Sequence, residues 1–294
     1  MATIRPDAAA WRAFTLQVLN AAGIASLGAG VIFFVAANWQ DYGLMGRFAI
    51  LQAALVGTVG VSLWRPPPDR AGTSTLVLAI LVTGALLALF GQSYQTGADV
   101  YELFFTWAAL AIPFALAGRS GAVWATWWTV LNVGMALFCG LEQLSLLRFA
   151  WMGRLGLDRS ALMFLGALVN LAGAYTFMER GPLWLVRLLA IYGFLFGTIG
   201  CIVAIIENRE LVVVLAFAVA CGAIAWDTMR RRKDVFPMAL ICAAWIAITT
   251  VFIGKHVHMR DLGAFFVLAL WLIGTSTGAG FLLMRWVREW RSAA

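Results

Sequence analysis

The residues best suited to chemistry lie in one polar stretch between two apolar runs, at positions 91–102, which reads G-Q-S-Y-Q-T-G-A-D-V-Y-E. Its two carboxylates, Asp99 and Glu102, fall on one turn of a helix and could act as a general acid and a general base. The same stretch carries amide and phenol groups that could hydrogen-bond a polar solute; they belong to Gln92, Tyr94 and Gln95. Acid–base catalysis and solute binding are therefore both open.

A second stretch, A-N-W-Q-D-Y-G at positions 37–43, repeats the order of a polar residue, an aromatic residue, a glutamine and a nearby glycine. Both stretches follow apolar runs that would cross a membrane in the same direction, so we expect them at the same depth. The candidate ligand-binding site predicted from the two stretches comprises Asn38, Trp39, Gln40, Gln92, Tyr94, Gln95, Asp99 and Glu102.

Each of these residues also has a structural interpretation. D-V-Y-E matches a capping box, in which the Asp99 side chain accepts from the first free amides of a helix and Glu102 reaches back. Both carboxylates would also face the positive end of the helix dipole. Tyr94 and Trp39 are typical of the aromatic belt at a membrane surface. The structural interpretation is favoured for the two acids, but it leaves the glutamines unexplained.

The chain has two histidines, in G-K-H-V-H-M-R-D. His256, His258 and Asp261 could bind Zn²⁺, but three ligands from one short loop are a weak metal motif. The sequence has no P-loop or H-E-x-x-H motif, and its G-x-S-x-G match, G-T-S-T-G at positions 274–278, lies inside an apolar run and not at the strand-to-helix turn that a nucleophilic serine of this motif requires. We therefore assign no catalytic residue and no metal site beyond these weak candidates, and we expect no cofactor.

Composition places these residues in a membrane protein. Only 12% of the residues are charged and 63% are apolar, whereas a soluble domain carries about 25% charged residues. A helix needs about 20 apolar residues to cross the hydrocarbon core. Ten runs approach that length and predict an all-α polytopic membrane protein; they are Leu19–Ala37, Phe48–Trp64, Ser74–Gly91, Val100–Ala117, Ala122–Leu141, Ser160–Met178, Leu183–Ile206, Leu211–Trp226, Phe236–Ile253 and Leu262–Met284.

The basic residues predict the orientation. If both termini are cytoplasmic, the inner segments hold 14 of the 21 Lys and Arg residues, as the positive-inside rule expects. We predict a short cytoplasmic segment at residues 1–18, a single transmembrane domain of about ten spans at residues 19–284 and a basic cytoplasmic tail at residues 285–294. The net charge of +7 is then explained by anionic lipid headgroups, and nucleic acid is not an expected partner.

Polar groups within the spans are few, and none of the spans carries an Asp, Glu, Lys or Arg near its middle. Coupled transporters usually keep such a charge, at a cost that only function explains. What remains at mid-depth is Asn132, Asn170 and a G-T-S-T-G stretch. Two G-x-x-x-G spacings, Gly193/Gly197 and Gly274/Gly278, are typical of close helix packing. Packing is the favoured interpretation of all these groups.

Three blocks carry a resemblance to a known family: G-I-A-S-L-G-A-G-V-I-F-F-V-A-A-N-W, A-L-F-G-Q-S-Y-Q-T-G-A-D and W-A-A-L-A-I-P-F-A-L. They resemble the bacterial predicted-membrane-protein family called domain of unknown function 2157, most clearly over residues 20–118. The matching positions are Gly28, Gly30, Asn38, Trp39, Gln92, Tyr94 and Gly97. The resemblance implies a multi-pass protein of the bacterial inner membrane whose activity is uncharacterised.

Three functions remain open. The favoured one is a non-catalytic scaffold or accessory of an envelope complex, with a membrane-protein partner or a second copy of the chain, besides the lipid bilayer, as its contacts. The alternative is a transporter or pore for a small polar solute, which would bind first at the outer polar and aromatic site. The second alternative is an enzyme on a lipid-linked substrate that uses Asp99 and Glu102.

Overall fold

In a computed structural model the chain is almost entirely helical over the residues described, which are 7–37, 42–94, 97, 99–140, 159–208, 210–256 and 262–292. These ranges contain ten α-helices and no strand. The helices are α1 (Ala8–Ala37), α2 (Leu44–Trp64), α3 (Arg70–Tyr94), α4 (Val100–Gly118), α5 (Gly121–Phe138), α6 (Arg159–Phe177), α7 (Leu183–Ile206), α8 (Glu210–Asp227), α9 (Val235–His256) and α10 (Leu262–Ser292).

Each helix contains a segment long and apolar enough to cross a membrane, because about 20 helical residues span the hydrocarbon core. The prediction of an all-α protein with ten spans is confirmed. The helix ends differ from the apolar runs mainly at α1, which begins at Ala8, and at α10, which continues to Ser292. The apolar runs leave out these extensions because both contain charged residues, Arg12 in α1 and Arg285 in α10.

The fold comprises two units, Met1–Met135 and Ala136–Ala294. In the first unit α3 is central and packs against α1, α2 and α4. Its core contains Leu76 and Ile80 of α3 with Ala108 and Ala111 of α4, all at most 3% exposed. Small residues on α4 let the two backbones approach closely, as is typical of helices packed in lipid.

Two tryptophans join the helices of the first unit through backbone carbonyls. Trp107 of α4 donates from Nε1 to the carbonyl of Ile80 in α3 at 2.6 Å. Trp127 of α5 donates to the carbonyl of Ala108 in α4 at 2.8 Å. Because no water competes inside a bilayer, an indole N–H needs such a partner. The two bonds fix the order α3–α4–α5 at mid-depth.

In the second unit α7 packs along α6 and also contacts α8 and α9, and α9 contacts α10. Glycines on α7 permit the close approach. A Cβ added at Gly193 would lie 2.8 Å from Cγ of Leu171, and one added at Gly197 would lie 2.2 Å from Cε2 of Phe217. This G-x-x-x-G pair is therefore filled by neighbouring helices, as expected from its spacing.

The connection from α8 to α9 is a polar corner. One π-helical turn, Thr228–Arg232, extends α8, and the N–H of Lys233 donates to the carbonyl of Thr228 at 2.8 Å. Asp234 then caps α9 by accepting from the N–H of Phe236 at 3.0 Å. Arg187 of α7 lies 3.6 Å from the same carboxylate, and its guanidinium lies over the Phe236 ring. This corner therefore joins the end of α8 to the beginnings of α7 and α9.

Candidate functional site

The C-terminal end of α3 holds two of the predicted site residues. The Tyr94 ring lies 4.8 Å from that of Phe90, one turn earlier, and 6.4 Å from that of Phe48 on α2. Tyr94 is nevertheless 53% exposed, and Gln92 is also exposed. The aromatic contacts therefore orient Tyr94, whereas the Gln92 side chain is exposed.

The N-terminal end of α4 holds the two carboxylates. Asp99 is the N-cap residue, with φ −65° and ψ 149°, but its side chain makes no capping hydrogen bond. The contacts are instead a backbone bond from the N–H of Glu102 to the Asp99 carbonyl at 3.0 Å and a long bond from the Tyr101 hydroxyl to Glu102 Oε1 at 3.5 Å. The predicted N-cap at Asp99 is confirmed, but the side-chain hydrogen bond that a capping box requires is not formed.

The four described site residues are all exposed. Within the described part of the chain, no hydrogen bond joins Gln92 or Tyr94 to Asp99 or Glu102. The other four members of the predicted set, Asn38, Trp39, Gln40 and Gln95, lie outside the described residues. Convergence of the eight residues on one ligand therefore stays a prediction, as does their use by a solute or a lipid-linked substrate.

Of the three candidate metal ligands, only His256 lies among the described residues. His256 is exposed at the end of α9, its Nδ1 lies 2.8 Å from the Phe252 carbonyl, and its ring lies 4.4 Å from the Phe252 ring. His258 and Asp261 lie outside the described residues. Among the residues that are described, no three His, Cys, Asp or Glu side chains form a group that could hold a metal ion.

The buried mid-span asparagines bond to their own helices. Asn132 Nδ2 donates to the Trp128 carbonyl at 2.8 Å, and Asn170 Nδ2 donates to the Gly166 carbonyl at 2.9 Å. Both side chains are at most 4% exposed. Each amide thus has a partner in its own helix, four residues earlier. This arrangement agrees with the packing interpretation.

The second G-x-x-x-G pair differs from the first. A Cβ added at Gly274 or Gly278 of α10 would meet no atom within 4 Å in the described part of the chain. At about 100° per residue, these glycines share a face with Thr277 and Phe281, both exposed. Leu272, which faces α9, lies on the opposite side. We call Gly274, Thr277, Gly278 and Phe281 the open α10 face.

Sequence reasoning missed a groove between α9 and α10. One part, of about 500 Å³, is lined by residues that include Ala243, Ala247, Thr250, Val251, Leu272 and Ser276. The adjoining part, of about 480 Å³, shares Thr250 and Val251 and reaches Lys255. We call the two parts together the α9–α10 groove. Its lining residues are spaced by whole helical turns, but a repeat of apolar residues does not distinguish a groove from a packed seam.

Lys255, at one end of the groove, links α9 to α7. Its ammonium donates to the carbonyl of Ile205 and, at 2.7 Å, to Oδ1 of Asn208. Asn208 has a positive φ of 59°, the left-handed conformation that commonly ends a helix. The lysine therefore satisfies a carbonyl in the last turn of α7. A cation there also faces the negative end of the helix dipole.

The exposed position of Asp99 leads to a prediction. Replacing an N-cap aspartate by alanine usually costs about 0.5–2 kcal/mol, but the side chain of Asp99 makes no capping bond. We therefore expect Asp99→Ala to lower the unfolding free energy by less than about 0.5 kcal/mol, as measured by thermal unfolding in detergent. A loss as large as that from a bonded cap would contradict the geometry; Asp99→Asn, which keeps the shape, is the matched control.

Comparison with known proteins supports the membrane assignment. Residues 4–124 match a family described as "Predicted membrane protein (DUF2157)". The resemblance seen in the sequence blocks is thereby confirmed over this segment, which covers α1 to α4 and the beginning of α5. Neither a curated protein nor a solved structure matched the chain.

Proposed function

We propose that this multi-pass membrane protein is a non-catalytic scaffold or accessory of an envelope complex in the bacterial inner membrane. It would bind a transmembrane helix of a partner protein through the open α10 face. The observation that carries the proposal is the contrast between two glycine pairs of equal spacing. Gly193 and Gly197 are filled by Leu171 and Phe217, whereas Gly274 and Gly278 face open space among the described residues.

The contrast between the two glycine pairs matters because of the way in which helices associate in a bilayer. Apolar side chains gain little by leaving lipid for a protein surface, so helices in a bilayer associate through close packing and interhelical hydrogen bonds. A G-x-x-x-G face allows the backbones to approach, and Thr277 adds a hydroxyl group beside the glycines. An open face of this kind therefore suits a partner helix better than it suits acyl chains.

The distribution of charge along the helices also favours a scaffold over a coupled transporter. Along the described helices, the Asp, Glu, Lys, Arg and His side chains lie near the ends: Arg187 in the second turn of α7 and Lys255 in the last turn of α9 are examples. The mid-span asparagines bond to their own helices. Ion or proton coupling usually requires an ionisable group inside a span, so a coupled transporter is less well supported than a scaffold.

Site-specific photocrosslinking in native membranes tests the proposal. A photoreactive residue at Phe281, on the open face, should give one discrete adduct with a different protein. The same photoreactive residue at Phe265, which is 67% exposed and lies about 160° around α10 from Phe281, serves as the control and should give none. Gly278→Leu should abolish the Phe281 adduct without lowering the thermal unfolding midpoint, because a Cβ at this position meets no atom within 4 Å among the described residues.

Three outcomes would contradict the scaffold. Equal crosslinking from Phe281 and Phe265 would indicate random collision, and an adduct that survives Gly278→Leu would not depend on the glycine face. An adduct of twice the 31.9 kDa chain mass would identify self-association instead of a partner.

A further inference from the structure

We infer that the corner between α8 and α9 binds anionic phospholipid headgroups through Arg230 and Lys233. We call this surface the α8–α9 corner; it comprises Trp226, Asp227, Arg230, Arg231, Arg232, Lys233 and Asp234, together with Arg187 of α7. It is a different surface from the open α10 face, and the inference does not depend on the scaffold proposal.

The α8–α9 corner carries an excess of positive charge. Five of its side chains are cationic and two are carboxylates, which leaves a net charge of +3. The connection that leads into α7 adds Glu179 and Arg180, whose charges cancel. A cluster of roughly four to eight Lys and Arg residues directly after a membrane-spanning helix is typical of a surface that binds anionic lipids.

Three of the five cations are paired within the corner. Arg232 Nε lies 2.6 Å from Asp227 Oδ2, and Arg231 Nε lies 3.8 Å from Oδ1 of the same carboxylate. Arg187 lies 3.6 Å from Asp234. Because two arginines share one carboxylate, these contacts neutralise two of the three positive charges.

Arg230 and Lys233 are the two cations outside these pairs. The Arg230 guanidinium lies over the Trp226 ring, with Cζ 3.8 Å from the ring centroid. An aromatic ring attracts a cation through its quadrupole, so this contact orients the guanidinium and leaves its charge in place. Lys233 ends the π-helical turn with a φ of 51°, and its side chain is exposed. Across the residues that the structure describes, neither cation forms an ion pair with a carboxylate, so both charges are available to a ligand.

Trp226 indicates the depth of the corner in the membrane. The 18 residues of α8 make a helix about 27 Å long at 1.5 Å per residue, close to the thickness of the hydrocarbon core, about 30 Å. Trp226 lies in the last turn of α8 and is 62% exposed, as is typical of tryptophan at the headgroup level. Arg230 stacks on this ring and therefore lies at the level of the lipid phosphates. This position favours a phospholipid over a soluble anion or an acidic protein.

Native mass spectrometry of the purified protein, titrated with phosphatidylglycerol or phosphatidylcholine of equal chain length, tests the inference. We expect the natural chain to bind phosphatidylglycerol about thirtyfold more tightly, because each of the two unpaired cations contributes about 1 kcal/mol near a membrane surface. The double variant Arg230→Gln/Lys233→Gln should lose most of this preference. It should keep its thermal unfolding midpoint, because both side chains are exposed.

The double variant Arg12→Gln/Arg288→Gln is the matched control. It removes two positive charges from exposed positions on α1 and α10, so that the net charge of the chain falls by the same amount. The preference for phosphatidylglycerol should be retained, because the α8–α9 corner is unchanged.

Asp227→Asn tests the corner in the opposite direction. It removes the carboxylate that Arg231 and Arg232 share and raises the charge of the corner by one. The preference for phosphatidylglycerol should therefore increase about fivefold, the equivalent of about 1 kcal/mol. This variant leaves Arg230 and Lys233 in place, so it tests the site even if their replacement lowers the stability of the protein.

Four results would overturn the inference. Equal affinity of the natural chain for the two lipids would exclude the site, as would a lower preference in Asp227→Asn. An equal loss of preference in the two double variants would show that the overall charge of the chain, and not the corner, selects the lipid. Displacement of phosphatidylglycerol by glycerol phosphate at the same concentration would show that a free phosphate suffices and would exclude a lipid as the ligand.

Discussion

Gly197→Leu is expected to prevent recovery of folded protein, and Gly197→Ala is expected to lower the unfolding free energy by about 3 kcal/mol, the upper part of the range for overpacked cores. A Cβ at this position would lie 2.2 Å from Cε2 of Phe217. That ring is fully buried and is bounded by Phe194 and Trp245, at 6.0 and 6.5 Å between centroids. The ring therefore cannot move aside without disturbing the core of the second unit.

The measurement is monodispersity and thermal unfolding after solubilisation, compared with Gly278→Leu. The two substitutions add the same side chain to glycines of the same helical motif, but a Cβ at Gly278 meets no atom within 4 Å in the ranges that the structure describes. We expect Gly278→Leu to elute and unfold like the natural chain. If the two variants were equally stable, the close contact between α7 and Phe217 would be wrong.

Trp107→Ala is expected to lower the unfolding free energy by about 3 kcal/mol, the lower end of the range for buried aromatics, because the Trp107 side chain is half-buried. The indole packs on Gly84 of α3, where an added Cβ would lie 2.3 Å from Cζ2 of the ring. Its Nε1 also donates to the Ile80 carbonyl at 2.6 Å. Removal of the side chain therefore leaves a cavity between α3 and α4 and takes away the hydrogen bond that joins the two helices.

Trp107→Phe separates the two contributions. It keeps most of the ring and removes the hydrogen bond, so we expect a loss of about 0.5–1.5 kcal/mol. Reversible unfolding in mixed micelles measures both variants. Trp64→Ala is the control, because Trp64 is 78% exposed and its removal should change stability little. A loss in Trp107→Ala no larger than in this control would contradict the packing of α3 against α4.

The helices could be predicted from the sequence because hydropathy and length decide whether a segment crosses a bilayer. Leu183–Ile206 was predicted with the bounds that the structure gives. The π-helical turn after α8 could not be predicted. It depends on the left-handed Lys233 and on a bond back to Thr228, which apolar periodicity does not register.

The candidate site could be predicted only in part. The D-V-Y-E pattern located the N-cap at Asp99, but a pattern does not fix the side-chain rotamer, and the capping bond is absent. Spacing likewise could not distinguish the filled pair Gly193/Gly197 from the open pair Gly274/Gly278. The G-x-x-x-G spacing indicates that one face of a helix carries no side chains at the glycines. The tertiary packing decides whether another helix covers that face.

The bond from Lys255 to the Ile205 carbonyl has a consequence for biosynthesis, because its two residues are separated by 50 positions. At about 5–20 residues per second, the ribosome needs roughly 2.5–10 s to add that length after it has made the end of α7. Until then that helix end must rely on interfacial water or on the insertion machinery. The end of α7 therefore gains this hydrogen bond only after α9 has been synthesised.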